Sequence, residues 1–466
     1  MRFGKTPKVV VMTAVDARKF SRQESGEITK SLIPPMPRVA DPAQPGKLRI
    51  ALLVYRGNPT CGGQGVYTRH LSRELAKIGH SVTVFSGPPW PEIDDGVGFV
   101  PVPSLDLYRS PDPFRWPQRG EIRNWADVVE LISTRLGHFA EPRTFAMRVE
   151  KLLADRRNEF DLIHDNQTMG YGIARLKKNG WTVLETLHHP ITVDREIAMS
   201  HAPTRWARIG AKRWYSFLTM QIRVLRSLPA VVTVSHNSKI DINAQMGVPL
   251  ENLTVVPVGV DHDVFRPNTQ IPKIPGRIIV TTSSDAPMKG LVPLLEAVAK
   301  VRRTHEVSLT VIGRPSADGP IAEALNRLAL NDCVHTVSGV SDAEMAGKYA
   351  EAQLAVVPSL YEGFSLPAIE AMSCGVALVA TTGGALPEVV GENGVTGLLV
   401  EPNNPDALAE AILRLLNDYE LRERIGVAGR ARVLNRFTWE VTAHGTEACY
   451  VALINHAPLP LAMTFT

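Results

Sequence analysis

Cysteine is scarce in this chain: four in 466 residues (Cys61, Cys333, Cys374 and Cys449), without zinc-ligand spacing or the density of a disulfide framework. A reducing, cytoplasmic setting is the expectation. Long hydrophobic runs are also missing. No stretch approaches the ~18–20 apolar residues that a spanning helix needs. The run Val9-Val-Val-Met-Thr-Ala14, behind a basic start, is too short for a signal peptide. Charge of one sign is lacking across the body of the chain. Of the net +4, residues 1–47 hold nine Lys/Arg against four Asp/Glu, which leaves about −1 for the remainder. That balance excludes a general nucleic-acid footprint. Neither half opens with Gly-x-Gly-x-x-Gly after its first strand, which argues against a dinucleotide oxidoreductase. No Asp-x-Asp motif stands in a suitable loop, so no metal is expected, and no cofactor is expected either.

Short apolar runs alternating with helical patterns are what the chain does contain. In the first half, Leu48–Val54, Ser81–Phe85, Phe160–His164, Trp181–Thr186 and Ala230–Val234 read as strands. In the second, Arg277–Thr281, Ser308–Ile312, Val334–Val337, Leu354–Val357, Ala377–Ala380 and Gly397–Val400 repeat the pattern. Continuous apolar strands suit parallel sheets covered on both faces. Helices are expected over Tyr67–Ile78, with Leu71, Leu75 and Ile78 in phase, and after Asn404-Pro405, a cap followed by proline at the first position. The stretch Phe265–Gly276, with three prolines and a glycine, reads as a linker. Residues 101–118 are Pro- and aromatic-rich and read as a long loop.

The segment Ser359-Leu-Tyr-Glu-Gly-Phe-Ser-Leu-Pro-Ala-Ile-Glu-Ala-Met-Ser-Cys-Gly375 is the most informative. It follows a buried strand, and Pro367 to Cys374 reads as a helix with proline at its first position. Glu362 then lies in the loop at the strand's carboxyl end and Glu370 about one turn into the helix. Ligands of open α/β sheets bind in that crevice, and free N–H groups at a helix start attract anions. Two carboxylates around an anion site suit hydroxyl recognition beside a phosphate, the description of a nucleotide-sugar.

Glu362-x7-Glu370, followed by Gly383-Gly-Ala-Leu-Pro-Glu-Val-Val390, resembles the donor-site signature of family 4 retaining glycosyltransferases. Val255–Asp261, Cys61–Tyr67 and Gly79–Val84 extend the resemblance, which covers roughly residues 47 to 452. It implies the GT-B fold, an α/β architecture of two Rossmann-like domains facing each other across a donor cleft. The expected divisions are a mobile tail (1–46), an acceptor-side domain (47–265), a donor-side domain (266–436), and a closing helix with tail (437–466). The implied reaction is metal-independent transfer of a hexosyl group from a nucleoside diphosphate sugar to an unidentified acceptor hydroxyl, with retention. A non-catalytic nucleotide-sugar binder or an epimerase on the same fold is the alternative.

The resemblance also implies roles. Glu370 would hold the ribose hydroxyls and Glu362 hydroxyls of the sugar. Backbone N–H groups of Gly363, Phe364, Ser365 and Leu366 would face sugar and phosphate. Lys289 would neutralise the diphosphate; Ser284 stands where the family commonly has an arginine, and Arg314 is either a substitute for that charge or an exposed loop residue. Gly62 and Gly63 resemble a glycine loop near the donor phosphate. Thr186-x-His188 resembles a motif whose histidine approaches the reacting sugar, with His189 the alternative. His189, Asp194 or Arg195, and Asp165, would touch the acceptor. One local basic run, Arg205–Arg226, carries six Lys/Arg and no acid, interleaved with Trp206, Trp214, Tyr215, Phe217 and Leu218. It reads either as a solvated helix packed on its own domain or as a basic amphipathic helix contacting anionic membrane at the inner face of the cell.

Overall fold

The alternating apolar runs form two separate sheets in the computed structural model, which describes residues 34–59, 63–109, 112–200, 202, 204–282, 287–316 and 319–460. The described residues divide into two contact units. One comprises everything up to Thr233, Lys239–Thr254 and the stretch from Ala443; the other comprises Val234–Ser238 and Val255–Thr442. The division after Thr254 lies ahead of the proline-rich linker because Val260 is bridged to Thr438, with Val260 N donating to Phe437 O at 2.9 Å.

The first unit is built on β1 (Arg49–Val54), β2 (Ser81–Ser86), β3 (Gly98–Pro101), β4 (Leu162–Asn166), β5 (Val183–Leu187), β6 (Val231–Thr233) and β7 (Leu253–Val255). Their order across the sheet is β3-β2-β1-β4-β5-β6-β7. The direction of winding reverses between β1 and β4, and in such sheets the crevice beyond the strands' carboxyl ends takes the ligand. The helix Gln64–Lys77 returns the chain from β1 to β2 and buries Leu71 and Leu75 completely. Strands β3 and β7 were not expected; one contains glycine and proline, the other is three residues long.

Two expectations are corrected here. Residues 38–44 are not a free tail: Arg38 exchanges backbone hydrogen bonds with Phe99 (2.9 and 2.8 Å), and Gln44 N donates to Gly79 O at 2.9 Å. This pairing covers the open edge of β3, whose backbone groups would otherwise lack partners. The basic run is not one helix. It forms the helices Arg205–Trp214 and Leu218–Leu225 with a 3₁₀ turn, Tyr215–Phe217, between them. Trp214 and Phe217 both pack on Phe139, each at 5.3 Å between ring centroids, and those contacts fix the break. Within the stretch 101–118, Arg115 donates to Leu105 O at 2.8 Å and to the Glu121 carboxylate beyond it at 2.6 Å.

The second unit holds β8 (Arg277–Thr281), β9 (Ser308–Ile312), β10 (Val334–Val337), β11 (Leu354–Val357), β12 (Ala377–Thr381) and β13 (Leu398–Val400). All pairs run parallel in the order β10-β9-β8-β11-β12-β13, so winding reverses between β8 and β11. Leu294, Leu295 and Val298 of the helix Leu291–Val301, and Leu408, Ile412 and Leu415 of Pro405–Asn417, pack in the core with Ile278, Leu309, Leu354 and Val379. Each such side chain contributes about 1.5–3 kcal/mol by leaving water. Asn404 caps the latter helix, accepting from Ala407 N at 3.0 Å, and Pro405 takes its first position. Among the described residues no helix is long and apolar enough to cross a membrane.

Candidate active site

The carboxyl ends of β8 and β11, on either side of the second sheet's reversal, bring Lys289 and Glu362 together. Lys289 ends the 3₁₀ turn Pro287–Lys289, which is tied to the β11 loop by Leu360 N donating to Met288 O at 2.7 Å. Gly290 (φ +66°) lies so close to Pro358 that a Cβ would fall 1.9 Å from its carbonyl oxygen. Only glycine allows that approach. Lys289 Nζ then donates to Glu362 Oε1 at 2.8 Å, and Ser359 Oγ donates to the same oxygen at 2.7 Å. Glu362 is fixed through its backbone as well: its carbonyl accepts from Ala385 N at 2.8 Å, and a Cβ on Gly384 would lie 2.3 Å from that oxygen.

The helix that follows begins at Leu366, one residue earlier than expected, so Pro367 is its second residue. Ser365 precedes it with φ 104°, ψ 87°, its hydroxyl buried without a partner. A non-glycine residue in that region is strained, and such strain clusters at ligand sites. Phe364 packs its ring on Phe437 (5.6 Å), and Gly363 O accepts from Ser235 Oγ (2.7 Å) and Ser238 Oγ (3.0 Å), so the loop is locked on both sides. Glu370 is half-buried and accepts from the Tyr349 hydroxyl at 3.4 Å; that tyrosine also lies 3.0 Å from Thr281 Oγ1. Burial, with the Asp342 charge adding, pushes the Glu370 carboxyl up to about 7, against the Tyr349 hydrogen bond. Arg314 follows β9, is exposed, and its Nε donates to Ser338 Oγ at 3.4 Å. Gly62 and Ser284 lie outside the described residues.

The first sheet's reversal has a different character. Gly63 (φ 74°) stands at the start of the helix after β1. His188, just beyond β5, has Nε2 2.8 Å from Asn166 Oδ1, its backbone N donating to Gln167 Oε1 at 3.3 Å, and its ring edge-on to Tyr67 at 4.6 Å. The Asn166 amide nitrogen donates to Thr68 Oγ1 and Gln64 O, so its oxygen faces the histidine. That assigns the proton to Nε2 and leaves Nδ1 an acceptor. Burial, with His189 adding, pushes His188 down to about 3, so the ring is neutral at physiological pH. His189 Nε2 lies 2.9 Å from Asp194 Oδ2, joining two acceptor candidates, and Arg195 is part-exposed on the same helix, Thr192–Ser200.

Asp165 does not fit its expected role. It is fully buried, and its Oδ2 accepts from Met169 N at 2.9 Å, so no acceptor can reach it. The sequence reading also missed Ser359, Tyr349, Asn166 and Gln167. Ser359 and Asn166 could have been flagged by position, since each stands at the carboxyl end of a strand bordering a reversal; nothing in the sequence marked Tyr349.

Comparison with known proteins bears on the family and fold of the chain. The model "Glycosyltransferase Family 4" matches residues 61–264, and "Glycosyl transferases group 1" matches residues 266–432. The MMP alpha-(1->4)-mannosyltransferase of Mycolicibacterium hassiacum is 47% identical over 404 residues, 86% of this chain and 98% of the relative. The solved sucrose-phosphate synthase of Thermosynechococcus elongatus superposes with TM-score 0.68 at 25% identity, covering 88% of this chain and all (100%) of that one. Anabaena HepE in complex with UDP-glucose shares the GT-B fold, with TM-score 0.61 at 17% identity over 87% of this chain and 100% of its own.

Proposed function

The chain belongs to glycosyltransferase family 4, and from that premise we propose that it transfers an α-mannosyl group from a nucleoside diphosphate mannose to a 4-hydroxyl of a sugar acceptor. The mannosyl group and the linkage follow the name of the 47%-identical relative. The observation that carries the donor side is the Lys289–Glu362 ion pair at the β8–β11 reversal. In the free protein the two charges satisfy each other. A bound donor exchanges them: the diphosphate takes the ammonium, and sugar hydroxyls donate to the carboxylate. Glu370 accepts from the ribose hydroxyls. His188 Nδ1 accepts from a hydroxyl of the transferred sugar.

The reaction retains configuration. The bond between the anomeric carbon and the phosphate oxygen breaks, the acceptor oxygen bonds to that carbon on the same face, and the acceptor proton passes to the leaving phosphate. Lys289 stabilises the charge that grows on the phosphate, a type of contribution commonly worth 10²–10³ in kcat per donor removed. No metal is required in this scheme.

Calorimetric titration with GDP, UDP and ADP, with EDTA present, tests the donor side on the wild type and Glu370→Ala. One nucleotide binding tightly, and weakening in the variant, fixes the base. Product analysis with mannosyl donors and sugar acceptors then tests the transfer. Binding of none of the three would overturn the donor site, and epimerised free donor without acceptor product would favour an epimerase.

A peripheral membrane contact is a second reading, favoured by the helix Arg205–Trp214. Trp206 is 73% and Ile209 47% exposed on it, among Arg205, Arg208, Lys212 and Arg213. Exposed tryptophan and aliphatic groups flanked by cations suit an anionic lipid surface.

A further inference from the structure

Two carboxyl groups that play no part in the scheme above lie side by side beneath the His188 loop. Asp165 on β4 and Glu185 on β5 are direct register partners, and both are fully buried. One oxygen of each is accounted for: Asp165 Oδ2 accepts from Met169 N at 2.9 Å, and Glu185 Oε1 accepts from Gln167 N at 3.1 Å. The other two, Asp165 Oδ1 and Glu185 Oε2, are buried without a partner, although the side chains are within hydrogen-bonding reach of each other. Two ionised carboxylates cannot stably share such a site. A single proton between them converts two orphaned acceptors into one short charge-assisted hydrogen bond. The described neighbours are uncharged: the Tyr55 phenol and Thr168 hydroxyl lie nearby, and Gln221 from the helix Leu218–Leu225 is turned to the carbonyls of Gln167 and Thr168.

The two accepted N–H groups belong to a turn with an unusual backbone, since Gln167 (φ 63°) and Met169 (φ 49°) both have left-handed conformations. Non-glycine residues hold such angles only when their surroundings impose them. The same turn carries the two groups that orient His188: Asn166 Oδ1 on its Nε2 and Gln167 Oε1 on its backbone N–H.

We propose that Asp165 and Glu185 carry one proton between them and act as positioning residues, fixing the 166–169 turn that holds the His188 imidazole in one orientation. The positioning half rests on the reading of His188 given above; the shared proton does not. Protonation of the pair lets the turn keep both backbone hydrogen bonds without placing two negative charges in the sheet. Glu185→Gln preserves the arrangement, because its amide nitrogen can donate to Asp165 Oδ1 while its oxygen still accepts from Gln167 N.

Three readouts separate the parts. The infrared difference spectrum of wild type minus Glu185→Gln at pH 7, in which the Glu370 contribution cancels, should show the carbonyl stretch of a protonated carboxylic acid. The Tm of wild type, relative to Glu185→Gln, should fall as pH rises from about 5, because the unfolded carboxyls ionise near 4 while the folded pair retains a proton. Glu185→Ala and Asp165→Ala should lose up to about 10²-fold in kcat with little change in donor KM, and Glu185→Gln should recover most of it. Absence of the infrared band, together with parallel Tm profiles, overturns the shared proton whatever His188 does. Folded alanine variants with wild-type kcat overturn the positioning role. If His188→Ala also retains wild-type kcat, the reading of His188 is what has failed, and the Tm comparison still decides the pair. Should the alanine variants fail to fold, kcat of Glu185→Gln decides the positioning: near wild type supports it, and a loss as large as that of His188→Ala overturns it.

Discussion

The two sheets share a winding plan and differ in the chemistry they place at the reversal. Each has a central strand flanked by β-α-β crossovers on both sides. At the β8–β11 reversal the groups are charged, with Lys289 on Glu362 and Glu370 close by in sequence. Around His188 in the first sheet the groups are neutral, with a histidine kept unprotonated by burial, the amides of Asn166 and Gln167, and the Tyr67 ring, while the charged pair just past β1, Arg56 with Glu141 at 3.0 Å, is already satisfied. Topology fixes where a ligand can be held, and the side chains at the strand ends decide what kind of ligand it is. A diphosphate needs formal positive charge, whereas a sugar hydroxyl is met well enough by a neutral acceptor.

Removing a charge at the second reversal is the strongest way to break this comparison. Lys289→Ala should lower kcat by about 10²–10³-fold, measured with saturating donor. Loss of less than about tenfold would mean that the phosphate is neutralised elsewhere, with Arg314 the residue to substitute next.

Next in size is Glu370→Ala, for which nucleotide affinity should fall roughly 5- to 150-fold, the equivalent of about 1–3 kcal/mol. Its pH dependence sharpens the point. The Glu370 carboxyl titrates at about 7 when the site is empty, and its ionised form is the better acceptor for ribose hydroxyls. Nucleotide affinity should therefore rise as pH increases through about 7 and level off above it, a trend that Glu370→Gln flattens. The same shift acts on folding with the opposite sense. A raised carboxyl pKa means that the folded state holds its proton longer, so this group's contribution falls as pH climbs from the unfolded value towards about 7. An affinity that declines across that range would count against the ribose assignment.

Gly290→Ala should cost about 2 kcal/mol or more in chemical denaturation, because a methyl group cannot fit 1.9 Å from Pro358 O. Its effect should extend to activity, since the turn carries Lys289.

The smallest effect is expected at the helix Arg205–Trp214. Reversing Arg205, Arg208 and Lys212 to glutamate should reduce sedimentation with anionic liposomes at low salt while leaving stability within about 0.5 kcal/mol, as for exposed sites generally. No liposome binding by the wild type would remove the membrane reading and leave the donor chemistry untouched.

Much of this contrast was legible in the residues. Strands β8, β9 and β11 coincide with apolar runs read directly from the sequence, because parallel strands covered on both faces need continuous apolar side chains. Glu362 and Glu370 were legible because a strand, a loop and a proline-led helix lie within one short segment. The break at Tyr215–Phe217 was not, since it depends on Phe139, far away in the chain. Residues 38–44 read as tail because they match no recognised motif, and only their pairing with Phe99 and Gly79, far along the chain, reveals them as an edge cover.

Local composition and spacing, then, determined that this chain folds as parallel α/β units and carries a carboxylate-bearing loop–helix suited to a nucleotide-sugar. Those properties depend on neighbours within a dozen residues. Tertiary structure alone decided that Lys289 meets Glu362 across the reversal, that His188 is neutral with Nε2 bearing its proton, and that Asp165 is buried against Glu185. Each of these is set by strand register and burial, which join residues distant in the chain and control how strongly water competes for their charge.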